Sequence, residues 1–139
     1  MKKFAFILCF ILISLLRANA QEPQYVSKEQ QNRNVLIEEF TGRTCVNCPL
    51  GHIQAKSIEE TYPGRVWAIN VHGTPYSPPT YPNLKISLSD SIREYFKANV
   101  FPSVVVNRQT ASAVALYPSN DRWGPMTNEQ IQQPAEVNV

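Results

Sequence analysis

Two cysteines, Cys45 and Cys48, form a CxxC motif and are the residues of this chain best suited to chemistry. A thiol becomes a strong nucleophile when it ionises, and the N–H groups and dipole at the start of a helix favour the thiolate. Two such cysteines can close a small disulfide, and together they exchange disulfides with other proteins without a cofactor. The motif therefore predicts that Cys45 attacks a partner disulfide and Cys48 resolves the mixed intermediate.

The first twenty residues have the three parts of a secretory signal peptide. They are a basic start at residues 2–3, an apolar run over residues 4–16, and small residues at 18–20 that suit cleavage after position 20. The run is shorter than the ~20 residues that a membrane-spanning helix needs. Because Cys9 lies inside it, export leaves the CxxC pair as the only cysteines. We therefore expect residues 1–20 to be a signal peptide.

The net charge of the chain depends on that segment. Thirteen basic and eleven acidic residues give +2, but Lys2, Lys3 and Arg17 lie in the signal, which has no acid. The mature chain then has ten bases against eleven acids, and its net charge is −1. Such a chain has no basic excess for nucleic acid, which is therefore excluded as a partner. One close cysteine pair is also too little for a disulfide-stapled scaffold.

The elements around the motif form a predicted β-α-β unit. Residues 35–40 are a mostly apolar run typical of a buried strand. Pro49 suits the first position of a helix, which residues 62–64 end. The apolar face of this helix is predicted at Leu50, Ile53 and Ile58. Residues 65–71 are predicted as a second buried strand, parallel to the first through a right-handed crossover.

The rest of the chain completes an α/β fold in the order βαβαββα, with a central mixed sheet and flanking helices. A proline-rich loop at 72–84 contains Tyr76 and Tyr81, which either contact a peptide partner or pack locally. The predicted elements after it are a helix with an apolar face at Leu88, Ile92, Tyr95 and Phe96, strands at 104–106 and 111–116, a helix at 127–133 and the start of a strand at 135–139. Polar residues 21–33 are predicted to be a flexible lead-in to a domain at 34–133.

Residues 36–48 resemble the thioredoxin pattern of a hydrophobic strand, an acid, an aromatic residue, a short loop and CxxC. Glu39 stands where thioredoxins carry a buried acid that assists proton transfer. The segment Phe101-Pro102-Ser103 resembles their cis-proline segment, which packs beside the CxxC and holds extended substrate. The resemblance covers roughly residues 33–133. It implies a thioredoxin-like fold with Glu39 as a third catalytic residue and 101–103 as the substrate-binding segment.

The chain departs from the thioredoxin pattern next to the cysteines. Thr44 replaces a tryptophan, and Val46-Asn47 replaces Gly-Pro between the cysteines. Pro49 disfavours helical geometry at Cys48, so the helix is expected to start at Pro49 and to leave Cys45 short of it.

A narrower set of motifs resembles the outer-membrane-protein-28-related family, which comprises exported thioredoxin-like proteins of Gram-negative bacteria. The matching motifs are Glu38-Glu39-Phe40-Thr41-Gly42, the Cys-x-x-Cys-Pro at 45–49, the loop after Val71-His72-Gly73, and the stretch from Phe101-Pro102-Ser103 to Val106-Asn107-Arg108. This resemblance implies a location in the periplasm or at the outer membrane. Family members usually continue into a β-rich region. We therefore expect residues 134–139 to be the start of such a region, in a chain that is truncated relative to the family.

Three functions fit these residues. The leading prediction is a thiol–disulfide oxidoreductase that acts on protein thiols and disulfides. The second is a structural or interaction protein of the cell envelope that keeps the fold and an inert disulfide, since fold does not fix function. The third is a copper(I) or zinc site that would combine the CxxC pair with His52 and His72. We expect no metal, because His52 is predicted on a solvated helix face and His72 at the edge of the sheet.

Overall fold

Four strands and three helices follow one another in the predicted order, βαβαββα, in the computed structural model, which describes residues 27–110, 112–116 and 122–137. They are β1 (Val35–Thr41), α1 (Cys48–Thr61), β2 (Val66–His72), α2 (Ser89–Tyr95), β3 (Ser103–Val106), β4 (Val114–Ala115) and α3 (Trp123–Ile131). All belong to one unit that spans Gln30–Val137. The predicted thioredoxin-like α/β fold is confirmed. The predicted signal peptide lies outside the described residues, among which no helix is long and apolar enough to cross a membrane.

The four strands form one mixed sheet in the order β2-β1-β3-β4. β1 pairs in parallel with β2, as the predicted β-α-β unit requires. β3 runs antiparallel to β1, with Val104 opposite Glu39, and β4 runs antiparallel to β3. β1 is therefore an interior strand, and its successive side chains point to opposite faces of the sheet. Glu38 and Glu39 consequently lie on different faces.

Helices α1 and α3 cover the face that carries Glu39. The core there consists of buried apolar residues from both helices and from β1–β3, with Leu116: Val35, Ile37, Ile58, Val66, Val104, Val106, Leu116, Trp123 and Ile131. Trp123 is fully buried, and its indole N–H donates to the Val114 carbonyl at 2.9 Å. Burial of this large side chain favours a helix that begins at Trp123, four residues before the predicted start at 127.

The opposite face is only partly covered. Helix α2 is seven residues long, and Phe96 beyond its end packs on the carboxyl ends of β1 and β2, where Phe40 and Val71 lie. Trp67 and Ile69 on the same face remain 47% and 45% exposed. The prediction of β2 as a buried strand is therefore wrong, because β2 lies at the edge of the sheet and no described helix covers the first half of β2 on this face.

The buried face of α1 also differs from the prediction. Its buried residues are Cys48, Gly51, Ala55 and Ile58. Leu50 and Ile53, predicted on the buried face, are 46% and 66% exposed. The small residues face the sheet because the helix lies so close to it that a Cβ at Gly51 would collide with Glu39 and Pro102. The spacing of apolar residues in the sequence had instead predicted that the larger side chains face the sheet.

The chain after β3 departs from the predicted strands. Asn107 and Arg108 both have positive φ, which is typical of the tight turns that reverse a strand. The fourth strand is limited to Val114–Ala115 instead of 111–116. Residues 135–137 form no strand, although Pro134 makes an isolated bridge to Asn32, and residues 138–139 lie outside the described part of the chain.

The turn places a cation against the buried Glu38. Arg108 Nε and an Arg108 terminal nitrogen donate to the two Glu38 carboxylate oxygens at 2.8 and 2.7 Å, and the guanidinium lies 5.9 Å from the centre of the Phe96 ring. The hydrogen bond to Glu38 raises the pKa of Arg108. The pair joins β1 to the turn after β3, so it helps hold the two strands in register.

We expect Arg108→Ala to lower the free energy of unfolding at pH 7 by about 2 kcal/mol, because it leaves a buried carboxylate without its cation. Urea unfolding followed by circular dichroism measures the change. Lys56→Ala is the matched control, since it breaks an exposed ion pair to Glu60 and should leave stability within error of the wild type. Equal effects of the two substitutions would contradict a special role for the buried pair.

Candidate functional site

The CxxC motif lies at the joint between β1 and α1, and its cysteines form a disulfide with the Cα atoms 5.4 Å apart. Helix α1 begins at Cys48, one residue before the predicted start, and Pro49 lies in its first turn. Cys45 precedes the helix and retains 8% of its surface in contact with solvent, whereas Cys48 retains 1%. The first cysteine is thus the one that a partner reaches more easily.

The proline-rich loop supports the segment that leads into the motif. The Thr44 N–H and hydroxyl both donate to the Tyr76 carbonyl, at 2.9 and 3.0 Å. The Tyr76 ring packs against Phe101 with the ring centres 5.5 Å apart. Tyr76 therefore packs locally, and it connects the residue before the CxxC motif to the Phe101-Pro102-Ser103 segment. Tyr81, the other tyrosine of the loop, is 96% exposed.

Asp90 at the start of α2 fastens this loop. Its carboxylate accepts from the Thr74 N–H at 2.8 Å, from Lys85 Nζ at 2.9 Å and from the Thr74 hydroxyl at 3.0 Å. The Thr74 backbone N–H first, and then Lys85, lower the pKa of Asp90 to about 2. The bonds favour the ionised form and tie the loop to α2.

We expect Asp90→Asn to lower the free energy of unfolding at pH 7 by about 1 kcal/mol, allowing for a side chain that is 33% exposed. Because the pKa is lower in the folded than in the unfolded state, this stability is present above about pH 4. It is lost as the pH falls towards 2. Thermal unfolding of the wild type and Asp90→Asn from pH 7 to pH 2 measures this contribution. A difference in stability between the two proteins that stays constant over this range would contradict a stabilising role for ionised Asp90.

The Phe101-Pro102-Ser103 segment lies beside the site. Its Phe101–Pro102 peptide bond is cis, which is the isomer that the thioredoxin resemblance implies. The three side chains are buried, and Phe101 belongs to the same apolar cluster as both cysteines. A Cβ on Gly51 would lie 2.7 Å from the Pro102 Cβ. The segment thus packs against α1 one turn after Cys48.

Glu39 lies on the same side of the sheet and is fully buried. Its Oε1 would be 2.5 Å from a Cβ on Gly51, and it has no hydrogen-bond partner among the described residues. Its Oε2 lies 3.0 Å from His52 Nδ1. Burial raises the pKa of Glu39, and the nearby His52 opposes that rise. The structure therefore brings Glu39, Pro102 and the Cys48 face of α1 together around Gly51.

The contact between His52 and Glu39 is the feature that sequence reasoning missed. His52 was expected on a solvated face, and its side chain is 41% exposed, yet its ring reaches the buried carboxylate. One sequence feature could have indicated this contact: His52 follows Cys48 by four residues on the same helix, so His52 lies at the side of the buried face. Its partner could not be identified without the register of α1 on β1.

The alternative metal site gains no support from the geometry. Both cysteines are in the disulfide, whereas a thiolate is what binds a metal. No group of three or more metal-binding side chains occurs in the described part of the chain. His72 Nδ1 lies 3.4 Å from the Ser77 hydroxyl, and burial, followed by the charge of His52, lowers the pKa of His72.

Comparison with protein families, with curated proteins and with solved structures found no match for this chain. Its function must therefore be argued from the site itself. A disulfide in which Cys45 is less buried than Cys48, followed by a helix that packs on a buried carboxyl group, is an arrangement capable of thiol–disulfide exchange.

Proposed function

We propose that the protein is an exported thiol–disulfide oxidoreductase module that acts on protein thiols and disulfides. The observation that carries the proposal is the Cys45–Cys48 disulfide at the β1–α1 joint, with Cys45 the less deeply buried of the two residues. Its placement before a helix suits thiolate chemistry. The signal-like segment at residues 1–20 and the resemblance to the outer-membrane-protein-28-related family support a location in the periplasm or at the outer membrane of a Gram-negative bacterium.

The proposed exchange uses three side chains. The Cys45 thiolate attacks one sulfur of a partner disulfide, forms a mixed disulfide and releases the other partner sulfur as a thiolate. Cys48 then passes its proton to Glu39 and attacks Cys45 Sγ. The Cys45–Cys48 bond forms, the bond to the partner breaks, and the second partner sulfur leaves and gains a proton from solvent. The partner is reduced and the pair is oxidised; the reverse sequence oxidises a partner dithiol.

The surface around the disulfide suits a polypeptide partner. Val46 between the cysteines is 90% exposed, and Leu50 and Ile53 continue an exposed apolar strip along α1. Within the Phe101-Pro102-Ser103 segment, Pro102 and Ser103 are fully buried and the Pro102 carbonyl accepts from the Leu116 N–H at 3.0 Å, so a partner would meet this segment at Phe101. Exposed apolar side chains beside a reactive group are typical of a protein-binding surface.

A redox titration combined with a turnover assay tests the proposal. The couple is equilibrated with glutathione buffers, and insulin reduction and the refolding of scrambled ribonuclease are measured with the wild type and Cys45→Ser. We expect turnover in the wild type and none in the variant. A potential below about −300 mV, the range of structural disulfides, together with no turnover, would reject the proposal.

A low redox potential without turnover would favour a structural protein of the cell envelope with a thioredoxin-like fold. One observation supports this alternative: both cysteines are buried, with exposed fractions of 8% and 1%. An inert disulfide would then hold the β1–α1 joint closed. Its reduction would lower stability without any effect on the thiols of other proteins.

A further inference from the structure

His52 connects the buried carboxyl group to solvent. Its Nδ1 lies 3.0 Å from Glu39 Oε2, while its side chain is 41% exposed and that of Glu39 is 1% exposed. The other ring nitrogen, Nε2, lies 3.5 Å from the Thr41 hydroxyl. The imidazole is therefore bonded to the carboxylate at one nitrogen and in contact with water through the exposed part of its ring.

The two oxygens of Glu39 have different surroundings. Oε2 faces His52, whereas Oε1 lies beside Gly51 and has no hydrogen-bond partner in the described part of the chain. Gly51 and Cys48 belong to the same buried face of α1, three residues apart. Oε1 is thus directed to the helix face that carries Cys48, and Oε2 to the residue that reaches solvent.

We infer that His52 is a positioning residue for the proposed exchange: it holds Glu39 through Oε2 and carries the proton of Cys48 from Glu39 to solvent. The inference rests on the proposed function, because it concerns the second step of that reaction. It extends the site from the CxxC pair and Glu39 to a histidine on α1.

The proton path is balanced as follows. In this path Glu39 begins as the acid, with its proton on Oε2 facing neutral His52 Nδ1. Cys48 Sγ–H gives its proton to Glu39 Oε1 as Oε2 gives its own proton to His52 Nδ1, and the Cys48 thiolate forms the bond to Cys45 while the partner thiolate leaves. The His52 imidazolium then gives one proton to water, so Glu39 keeps one proton and the net transfer is from Cys48 to solvent. Neutral His52 is the form that accepts a proton, so the rate of the resolving step should depend on the protonation state of His52.

The titratable groups that face Glu39 are few. Helix α1 contributes His52, and β2 contributes His72, which is near enough to His52 for the two charges to interact. The adjacent residues of β3 on this face, Val104 and Val106, are apolar. The cysteine pair is the remaining ionisable group, once it is reduced. Glu39 thus has one direct route to solvent through a titratable side chain in the described structure.

The test measures the resolving step itself. The reduced protein is mixed with oxidised glutathione at pH 5 to 9, the reaction is quenched with acid, and the decay of the Cys45–glutathione mixed disulfide is followed by mass spectrometry. We expect His52→Gln to slow this decay about tenfold at pH 7, below the ~10²–10⁴-fold of a directly acting acid or base. We also expect this substitution to make the decay depend less on pH than it does in the wild type. In a Glu39→Gln background, His52→Gln should have no further effect.

Lys56→Gln, an exposed substitution on the same helix, is the matched control and should retain the wild-type profile. Overlapping profiles for His52→Gln and the wild type, or an equal slowing in the Glu39→Gln background, would overturn the inference. If His52→Gln does not fold, an NMR titration of His52 in the oxidised and the reduced wild type replaces the kinetic test. Identical midpoints in the two forms would overturn the inference. The redox titration and the turnover assay test the proposed function separately from this inference, because the decay of the mixed disulfide is measured without a protein partner.

Discussion

Cys45→Ser is expected to abolish disulfide exchange, whereas Cys48→Ser is expected to accumulate a mixed disulfide with the partner protein. A serine hydroxyl is not ionised near neutral pH and forms no disulfide, so loss of the attacking sulfur stops the reaction at its first step. We expect turnover to fall by more than about 10³-fold, as when other enzymes lose their nucleophile. Loss of the resolving sulfur leaves the first step intact, because Cys45 is the more accessible cysteine.

Non-reducing electrophoresis of the single variants, incubated with reduced-and-reoxidised ribonuclease, distinguishes the two roles. The double variant Cys45→Ser/Cys48→Ser is the control and should form no adduct. A mixed disulfide in Cys45→Ser but not in Cys48→Ser would reverse the two assignments. Equal turnover in Cys45→Ser and the wild type would show that the measured activity does not come from this pair.

Gly51→Ala is expected to reduce stability and exchange together, although alanine is the better helix former. A Cβ at this position would lie 2.5 Å from Glu39 Oε1 and 2.7 Å from the Pro102 Cβ. The proline ring is rigid and Glu39 is buried, so α1 must move away from the sheet or the carboxyl group must turn. We expect a loss of about 2 kcal/mol in the free energy of unfolding, typical of overpacking, and slower resolution by Cys48.

Gly124→Ala is the matched control, since it also lies in a helix but nothing lies within 4 Å of its added Cβ. It should leave stability unchanged or raise it by up to about 1 kcal/mol, because alanine has the higher helix propensity. Urea unfolding and the resolution assay compare the two variants. If Gly51→Ala is as stable and as active as Gly124→Ala, the close packing of Glu39, Pro102 and α1 is not required by the site.

The order of elements could be predicted because each element has a local cause. The apolar run before the motif, Pro49 after it and the break at 62–64 mark a strand and a helix without any distant contact. The parallel pairing of β1 and β2 then follows from chain connectivity, since a crossover helix leaves few alternatives. The place of Cys45 and Cys48 at the β1–α1 joint was predictable for the same reason.

The largest errors, apart from the bounds of the last elements, concern which side of an element is buried. Ile53 and Trp67 are apolar but substantially exposed, whereas Gly51 is buried. Hydrophobic periodicity assumes that the largest apolar side chains face the core, but here the closeness of α1 to the sheet selects small residues. The edge position of β2 and the shortness of α2 likewise leave Trp67 uncovered. A local sequence pattern contains neither the distance between α1 and the sheet nor the order of the strands.

By itself, the sequence determined the cysteine pair, its spacing, the helix that follows it and the α/β order of the fold, because these depend on neighbours a few residues apart. Only the tertiary structure decided that one oxygen of the buried Glu39 meets His52 and that the other lies beside Gly51. These residues come together through the strand register and the packing of α1. The proposed proton path depends on these contacts, which no local sequence pattern contains.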